Sequence, residues 1–155
     1  MFLQPSKVEN SQIAVEDILE KYPETMHARP VPVINGHVPA GFPDIPLQQE
    51  QIVDYLYLPD IPKNSLAIKV KGESMSPTIR DDDYVVFVPA GIADLTNGDV
   101  VIVRNEWNEL VVKRFRIKNG EIYLTSDNPE YPTIKPNENY KIVGKVIQIV
   151  TIKKL

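Results

Sequence analysis

A compact, mainly β domain of mostly antiparallel strands, preceded by an extended arm with one short helix, is the fold class this 155-residue sequence predicts. Three observations predict it. Short β-branched or alternating runs recur from about residue 51 onward, and polar turn clusters separate them. The first forty residues differ in texture, with a single helical pattern running into a proline-rich stretch. With 43% hydrophobic and 25% charged residues, the chain can bury one ordinary core and hardly two, so one domain plus an arm is expected.

In the arm, Val15, Ile18, Leu19 and Tyr22 fall at i, i+3, i+4 and i+7, with Asn10 or Ser11 available as a cap and Pro23 as a stop. One short amphipathic helix follows from this spacing, and no second one succeeds it. Residues 1 to 40 carry Lys7, Lys21 and Arg29 against Glu9, Glu16, Asp17, Glu20 and Glu24. A helix-turn-helix needs at least two packed helices and usually a basic face, so no direct DNA-binding domain is expected. Prolines at 30, 32, 39, 43 and 46 favour extended, exposed backbone kept out of a central sheet. Within that stretch Asn35-Gly36, between Val31 to Ile34 and His37 to Ala40, has the form of a two-residue hairpin turn; a plain linker is the alternative.

The β runs are Leu66 to Val70, Tyr84 to Val88, Asp99 to Val103, Leu110 to Phe115, Glu121 to Thr125 and Lys141 to Ile152. They are punctuated by Asp81-Asp82-Asp83, Asn97-Gly98, Asn105-Glu106-Trp107-Asn108, Asn119-Gly120 and Asp127-Asn128-Pro129. The alternating C-terminal run is open to pairing with a second copy as an edge strand. Trp107 is either an anchor for a partner or an aromatic folded over the sheet.

Composition excludes several chemistries. A net charge of −4 argues against holding nucleic acid by bulk electrostatics. The absence of cysteine removes thiol nucleophiles, cysteine-ligated zinc and disulfides. No run of about 18 apolar residues occurs, so neither a signal peptide nor a membrane span is expected, and the cytoplasm is the expected compartment. The histidines, His27 and His37, both lie in the first quarter, which leaves the β domain without a base for a serine–histidine–aspartate arrangement. His37 itself reads as an exposed hairpin residue. Asp81-Asp82-Asp83 offers three carboxylates, but adjacent residues point in different directions, so no metal is expected there.

What remains is Ser74, in Gly72-Glu73-Ser74-Met75-Ser76-Pro77-Thr78, followed 39 residues later by Lys113 in Val111-Val112-Lys113-Arg114-Phe115. A serine hydroxyl is a poor nucleophile until a neighbouring base takes its proton, and lysine can serve if burial keeps its amine neutral. Lys113 sits in an apolar alternating stretch where desolvation could do so. Ser76 ranks behind Ser74, since its place before Pro77 suits a helix start.

Three stretches in order, Val38-Pro39-Ala40-Gly41-Phe42-Pro43, Val70-Lys71-Gly72-Glu73-Ser74-Met75, and Asn97-Gly98-Asp99-Val100-Val101 through Val112-Lys113-Arg114, resemble the LexA and UmuD family of self-cleaving regulators. That family includes the lambda-type phage repressors. The likeness covers approximately residues 30 to 155 and extends to Leu124 through Pro132, which matches the family's asparagine-containing loop before a proline. The resemblance implies Ser74 as nucleophile, Lys113 as general base, the backbone amides of Ser74 and Met75 as oxyanion donors, and Ala40-Gly41 as the bond cut. It divides the chain into an arm, residues 1 to 40, and a peptidase domain, 41 to 155. It implies no cofactor, a homodimer, and a DNA-damage (SOS) response triggered by the RecA filament on single-stranded DNA.

The family often has Asp-Gly-Asp where this chain has Asp81-Asp82-Asp83, so the turn must accept a side chain, which aspartate does better than most residues. Within the family, the short arm fits the UmuD type, which serves an error-prone DNA polymerase. The proline-rich linker fits a shortened phage-type repressor. Outside it, signal peptidases share a Ser-Met…Pro box and a Lys-Arg pair but need a membrane anchor, and the run Tyr84 to Ala93 is broken by Pro89 and Gly91. A non-catalytic dimerisation module is the remaining alternative, against which Ser74, Lys113 and Ala40-Gly41 all stand intact.

Overall fold

The computed structural model describes residues 28–155. The amphipathic pattern from Val15 to Tyr22 and His27 lie outside the described residues. Strands β1 (Arg29–Ile34), β2 (Ile52–Leu58), β3 (Leu66–Lys69), β4 (Tyr84–Pro89), β5 (Val100–Arg104), β6 (Leu110–Lys118), β7 (Glu121–Thr125) and β8 (Lys141–Val150) are joined by turns and two short 3-10 segments. They form one eight-stranded sheet in the order β2-β1-β3-β4-β8-β5-β6-β7. Every neighbouring pair is antiparallel except β1 with β3. The mainly β, mostly antiparallel domain expected from the sequence is therefore the fold. Among the described residues, no helix is long and apolar enough to cross a membrane.

The local chemistry of each turn accounts for the strand pairings. Asn119 and Gly120 adopt φ values of 52° and 77°, and they close β6 onto β7 with Lys118 opposite Glu121. Positive φ at both central residues is what a two-residue hairpin matched to strand twist requires. The β5–β6 turn uses the Asn105 carboxamide oxygen, which accepts the backbone N–H groups of Trp107 and Glu109. At the aspartate triplet, Asp82 takes φ 70°, the position where the family pattern has glycine. The three carboxylates go to separate donors: Asp81 to the Gly72 N–H, Asp82 to the Lys71 amine, and Asp83 to the Arg80 N–H and Thr151 hydroxyl.

Apolar side chains divide into clusters on the sheet. The largest joins Ile68, Val85, Phe87, Ile102 and Val112 to Met75 and Ile79 from the loop after β3, and to Val38 and Phe42 from the segment after β1. A second cluster lies under β1 and β4, and a third unites Val101, Val103, Phe115 and Leu124.

Three expectations need correction, and the alternative left open for Trp107 is narrowed. Prolines 30 and 32 do not keep their segment out of the sheet, because β1 lies between β2 and β3. Residues at i and i+2 turn the same backbone edge, so both missing N–H groups fall on one side. The ladder to β3 has only the pair Val33–Ala67, and the ladder to β2 carries the pairing. Asn35-Gly36 is not a local hairpin turn: β1 pairs with β2, while His37 bridges to Glu109, the Val38 N–H donates to Asn108 O and the Leu110 N–H to Gly36 O. The C-terminal run is not an edge; β8 sits between β4 and β5. Trp107 is 63% exposed rather than folded over the sheet.

The interior place of β8 explains Gly144, which pairs with Pro89 and Ile102. A Cβ there would stand 2.5 Å from the Val88 carbonyl oxygen and 2.6 Å from a ring carbon of Phe87. Both obstacles belong to the packed sheet, so Gly144→Ala should lower unfolding free energy by about 2 kcal/mol, read as a fall in the urea midpoint at unchanged m-value.

Candidate active site

Ser74 lies in a turn-rich segment between β3 and β4, half-buried, beside the fully buried Met75. The segment has no ladder of its own. It is held from below by Met75 and Ile79, which enter the main apolar cluster, and by the bonds Ser76 N–H to Glu73 O and Ile79 N–H to Met75 O. No α-helix starts at Ser76–Pro77, contrary to the sequence expectation, and the segment runs as successive turns.

Lys113 projects from β6, opposite Val101 of β5. Ser74 and Lys113 line one cleft of about 410 Å³ together with Gly36, Ile68, Val70, Leu110, Val112 and their neighbours. Ser76 does not line it. Burial pushes the Lys113 amine below its ordinary value of 10.5, and desolvation is the cause. The hydrogen bond that Lys113 makes is to Ser126: its Nζ donates to the Ser126 hydroxyl at 2.9 Å.

Ser126 belongs to the loop after β7, and that loop is stitched to the Ser74 segment. The Asn128 N–H donates to Ser74 O at 3.0 Å, and the Asn128 carboxamide to Glu73 O at 3.0 Å. The Asp127 N–H points at the Met75 sulfur at 3.4 Å. The Asp127 carboxylate accepts from the Thr78 hydroxyl at 2.6 Å and from both Nε and Nη2 of Arg114. Arg114 also donates through Nη1 to Gly98 O at 2.9 Å. The Arg114–Asp127 pair is mostly shielded, with 21% and 14% of the side chains exposed. Among the described residues, the backbone N–H groups of Ser74 and Met75 have no protein acceptor.

The segment Val38 to Phe42 lies elsewhere. None of residues 37 to 45 lines the cleft. Val38 and Phe42, 3% and 4% exposed, are sunk in the main apolar cluster, while Ala40 is exposed in a turn closed by Phe42 N–H to Pro39 O and Asp44 N–H to Gly41 O. Arg104, at the end of β5, donates through Nη1 to the carbonyls of Ala40 (2.6 Å) and Phe42. Lys113 pairs with Val101, and Arg104 stands three residues further along β5, so the two contacts are separated by about 10 Å of strand. The structure thus brings Ser74, Met75 and Lys113 together and leaves Ala40-Gly41 apart from them.

Sequence reasoning missed Ser126, Asp127 and Arg104 as site residues. For Ser126 a signal existed in the pairing arithmetic: Arg114 stands opposite Thr125, and one more step of that register puts Lys113 opposite Ser126. Arg104 had none, since its partners are carbonyls.

A family profile described as Peptidase S24-like matches residues 32–147. The LexA repressor of Shouchella clausii is 39% identical over 125 residues, 77% of this chain and 56% of the relative. That of Bacillus subtilis is 37% identical over 126 residues, 77% and 58% respectively. That of Carboxydothermus hydrogenoformans is 32% identical over 143 residues, 88% and 66%. The chain therefore spans between about half and two thirds of the length of these relatives.

The Arg114–Asp127 pair makes the site acid-sensitive. The arginine bonds hold the Asp127 carboxyl below its ordinary value of 3.8. A depressed native pKa contributes stability above the unfolded value and loses it as pH falls through the native one, so this clamp should fail only below about pH 4. Asp127→Ala, which strands a largely shielded guanidinium, should cost about 2 to 3 kcal/mol in urea unfolding at neutral pH. The difference between variant and wild type should shrink as both are taken below pH 3.

Proposed function

The chain belongs to the S24-like peptidase family, and from that premise we propose that it is a LexA-type self-cleaving serine–lysine peptidase that cuts its own Ala40-Gly41 bond. The observation that carries this reading is the shared cleft of Ser74 and Lys113, with Lys113 desolvated. In the reaction, the neutral Lys113 amine takes the Ser74 hydroxyl proton as the oxygen attacks the Ala40 carbonyl carbon. The tetrahedral oxyanion is received by the backbone N–H groups of Ser74 and Met75, which have no acceptor among the described residues. Lys113, now an ammonium, returns its proton to the Gly41 nitrogen as the Ala40–Gly41 bond breaks. Water then hydrolyses the Ala40 ester on Ser74, with Lys113 again the base. No cofactor enters any step.

Tethering makes a slow dyad sufficient, because delivery within one chain raises effective concentration. It also makes latency necessary. In the described conformer the bond is held away from the dyad by Arg104 and by the burial of Val38 and Phe42. Withdrawing two such side chains forgoes about 3 to 6 kcal/mol unless the cleft buries them again. Cleavage thus depends on a minor docked population, and a partner that favours that population turns the enzyme on.

By likeness to the LexA repressors, that partner is the RecA filament on single-stranded DNA, the protein acts in the cytoplasm as a homodimer, and its role lies in the DNA-damage response. Relatives named as repressors favour the repressor role over that of a polymerase accessory. The signal-peptidase alternative gains nothing from these relatives. A non-catalytic dimerisation module would have no need of a desolvated lysine in the cleft that Ser74 lines.

Purified protein incubated at alkaline pH should yield fragments 1–40 and 41–155 by intact mass spectrometry. Ser74→Ala and Lys113→Arg should each abolish them with the circular dichroism spectrum unchanged, since guanidinium does not deprotonate in this range. Fragments of other mass, or cutting that survives Ser74→Ala, would sink the assignment. The wild-type rate should rise with pH and level off once Lys113 has lost its proton, at a midpoint below 10.5. Arg104→Ala, which removes the tie on Ala40 and Phe42, should raise the basal rate by roughly tenfold, one hydrogen-bonded charge being about 1.5 kcal/mol. RecA filaments should accelerate the wild type, and equal rates with and without them would remove DNA damage from the function.

A further inference from the structure

We infer that Ser126 is a positioning residue for the Lys113 base, holding its amine at the cleft through a neutral hydroxyl acceptor. This rests on the serine–lysine reading and goes beyond it, since neither motif of the dyad contains Ser126. Four features of the geometry carry the inference.

The first is the contact itself, Lys113 Nζ to Ser126 Oγ at 2.9 Å. The second is register. β6 and β7 pair Arg114 with Thr125, and the next step sets Lys113 against Ser126, so the contact is built by the strand pair rather than by a wandering side chain. Third, the backbone on either side of Ser126 is tied down. Thr125 ends β7, Asp127 is held by Arg114 and Thr78, and Asn128 is bonded to the carbonyls of Ser74 and Glu73. A hydroxyl on such a backbone has little freedom beyond its own rotamers. The fourth is linkage to the nucleophile: Asn128, two residues on, bonds the backbone of Ser74 directly. Nucleophile, base and acceptor are therefore registered to one loop.

Chemistry explains why the acceptor is a hydroxyl. A lysine used as a base must spend part of its time as a neutral amine, which has two N–H bonds and one lone pair. With one N–H given to Ser126, the four-carbon side chain loses most of its rotational freedom, and the lone pair stays available for the Ser74 proton. A carboxylate in that place would also fix the amine, but its charge would hold lysine protonated and remove the base. The other ionisable groups facing the cleft are Lys69 and Lys71 on the β3 side, Glu73 beside Ser74, Glu109 at the start of β6, and Tyr131 from the loop after β7. Burial, not any of these, sets the direction of the Lys113 shift.

The two replacements Ser126→Ala and Ser126→Asp therefore have opposite signatures. A hydroxyl that accepts from lysine favours the ammonium form. Removing it lowers the Lys113 pKa further, and placing a carboxylate there raises it. In Ser126→Ala the pH–rate midpoint of self-cleavage should move down by about 0.5 to 1 unit, and the plateau rate should fall by about 10- to 100-fold. In Ser126→Asp the midpoint should move up by more than one unit, with cleavage at neutral pH suppressed. Ser126→Thr, which keeps the hydroxyl, should restore both midpoint and plateau.

The same shifts are to be measured without turnover, by NMR titration of the Lys113 side chain in the Ser74→Ala background. That readout tests the Ser126 contact even in protein that cuts nothing, so it separates failure of this inference from failure of the peptidase reading. A lowered plateau with an unmoved midpoint and no recovery in Ser126→Thr would make Ser126 a folding residue and overturn the inference. Unchanged Lys113 titration in both Ser126→Ala and Ser126→Asp would overturn it as well. Loss of all cleavage in Ser126→Ala, with Ser74→Ala still active, would make Ser126 the nucleophile and overturn both.

Discussion

The site depends on one carboxylate. Asp127 ties Arg114 of β6 to Thr78 of the Ser74 segment, and its own N–H lies on the Met75 sulfur. Neither the segment from Lys71 to Asp83 nor the loop after β7 has a full ladder, so their relative position cannot come from sheet pairing. It comes from this charged hub, from the Asn128 bonds to the carbonyls of Ser74 and Glu73, and from two apolar pegs, Met75 and Ile79, driven into the main cluster. The division of labour is physical. Apolar burial fixes the depth of the segment but tolerates sliding, whereas charge-assisted bonds to a planar guanidinium fix direction. A serine and a lysine carried on different segments need both in order to share one cleft.

The same economy governs the lysine. The sheet buries Lys113 enough to push its amine below its ordinary value, while the hydroxyl of Ser126 supplies a partner so that the group is not stranded. Full burial without an acceptor would cost stability, and pairing with a carboxylate would abolish basicity. Half-burial beside a neutral acceptor satisfies both demands. The nearby surface lysines are handled differently, since Lys71 and Lys69 are exposed and share Asp82.

Much of this was legible in the sequence. The strands at Tyr84, Leu110 and Glu121 stood out because alternation and turn chemistry agreed, and Asn119-Gly120 named its own hairpin. Ser74 and Lys113 are assigned by resemblance to the LexA and UmuD family, and the lack of cysteine and of histidine in the domain supports the pair. What failed was whatever depended on long-range neighbours. β2 did not stand out because Val53, Tyr55 and Tyr57 face outward at the sheet edge, so the exposed face is as apolar as the buried one. β1 was hidden by its prolines, although six residue pairs still join it to β2. β8 looked like an edge because its last turns are exposed at Ile147 and Ile149, although its backbone is paired on both sides. The role of Arg104 could not be read at all, since carbonyl acceptors leave no trace in side-chain pattern.

Under the proposed cleavage, the placement of β1 would separate breaking the Ala40-Gly41 bond from releasing the arm. A cut between Ala40 and Gly41 would fall after Val31, Val33 and Ile34 have been buried and after six residue pairs have joined β1 to β2. Each of those pairs joins the two fragments, and none uses the bond itself. Three buried aliphatic side chains alone represent about 5 kcal/mol or more, so chemistry at Ala40-Gly41 would leave the N-terminal piece seated in the sheet. Its departure would require opening of β1, a local unfolding event with its own barrier. What such a cut would remove is the covalent path between the β1 ladder and the Phe42 anchor. Those two sites of burial would then cease to reinforce each other through chain connectivity, and release of β1 would gain the entropy that the tether had withheld.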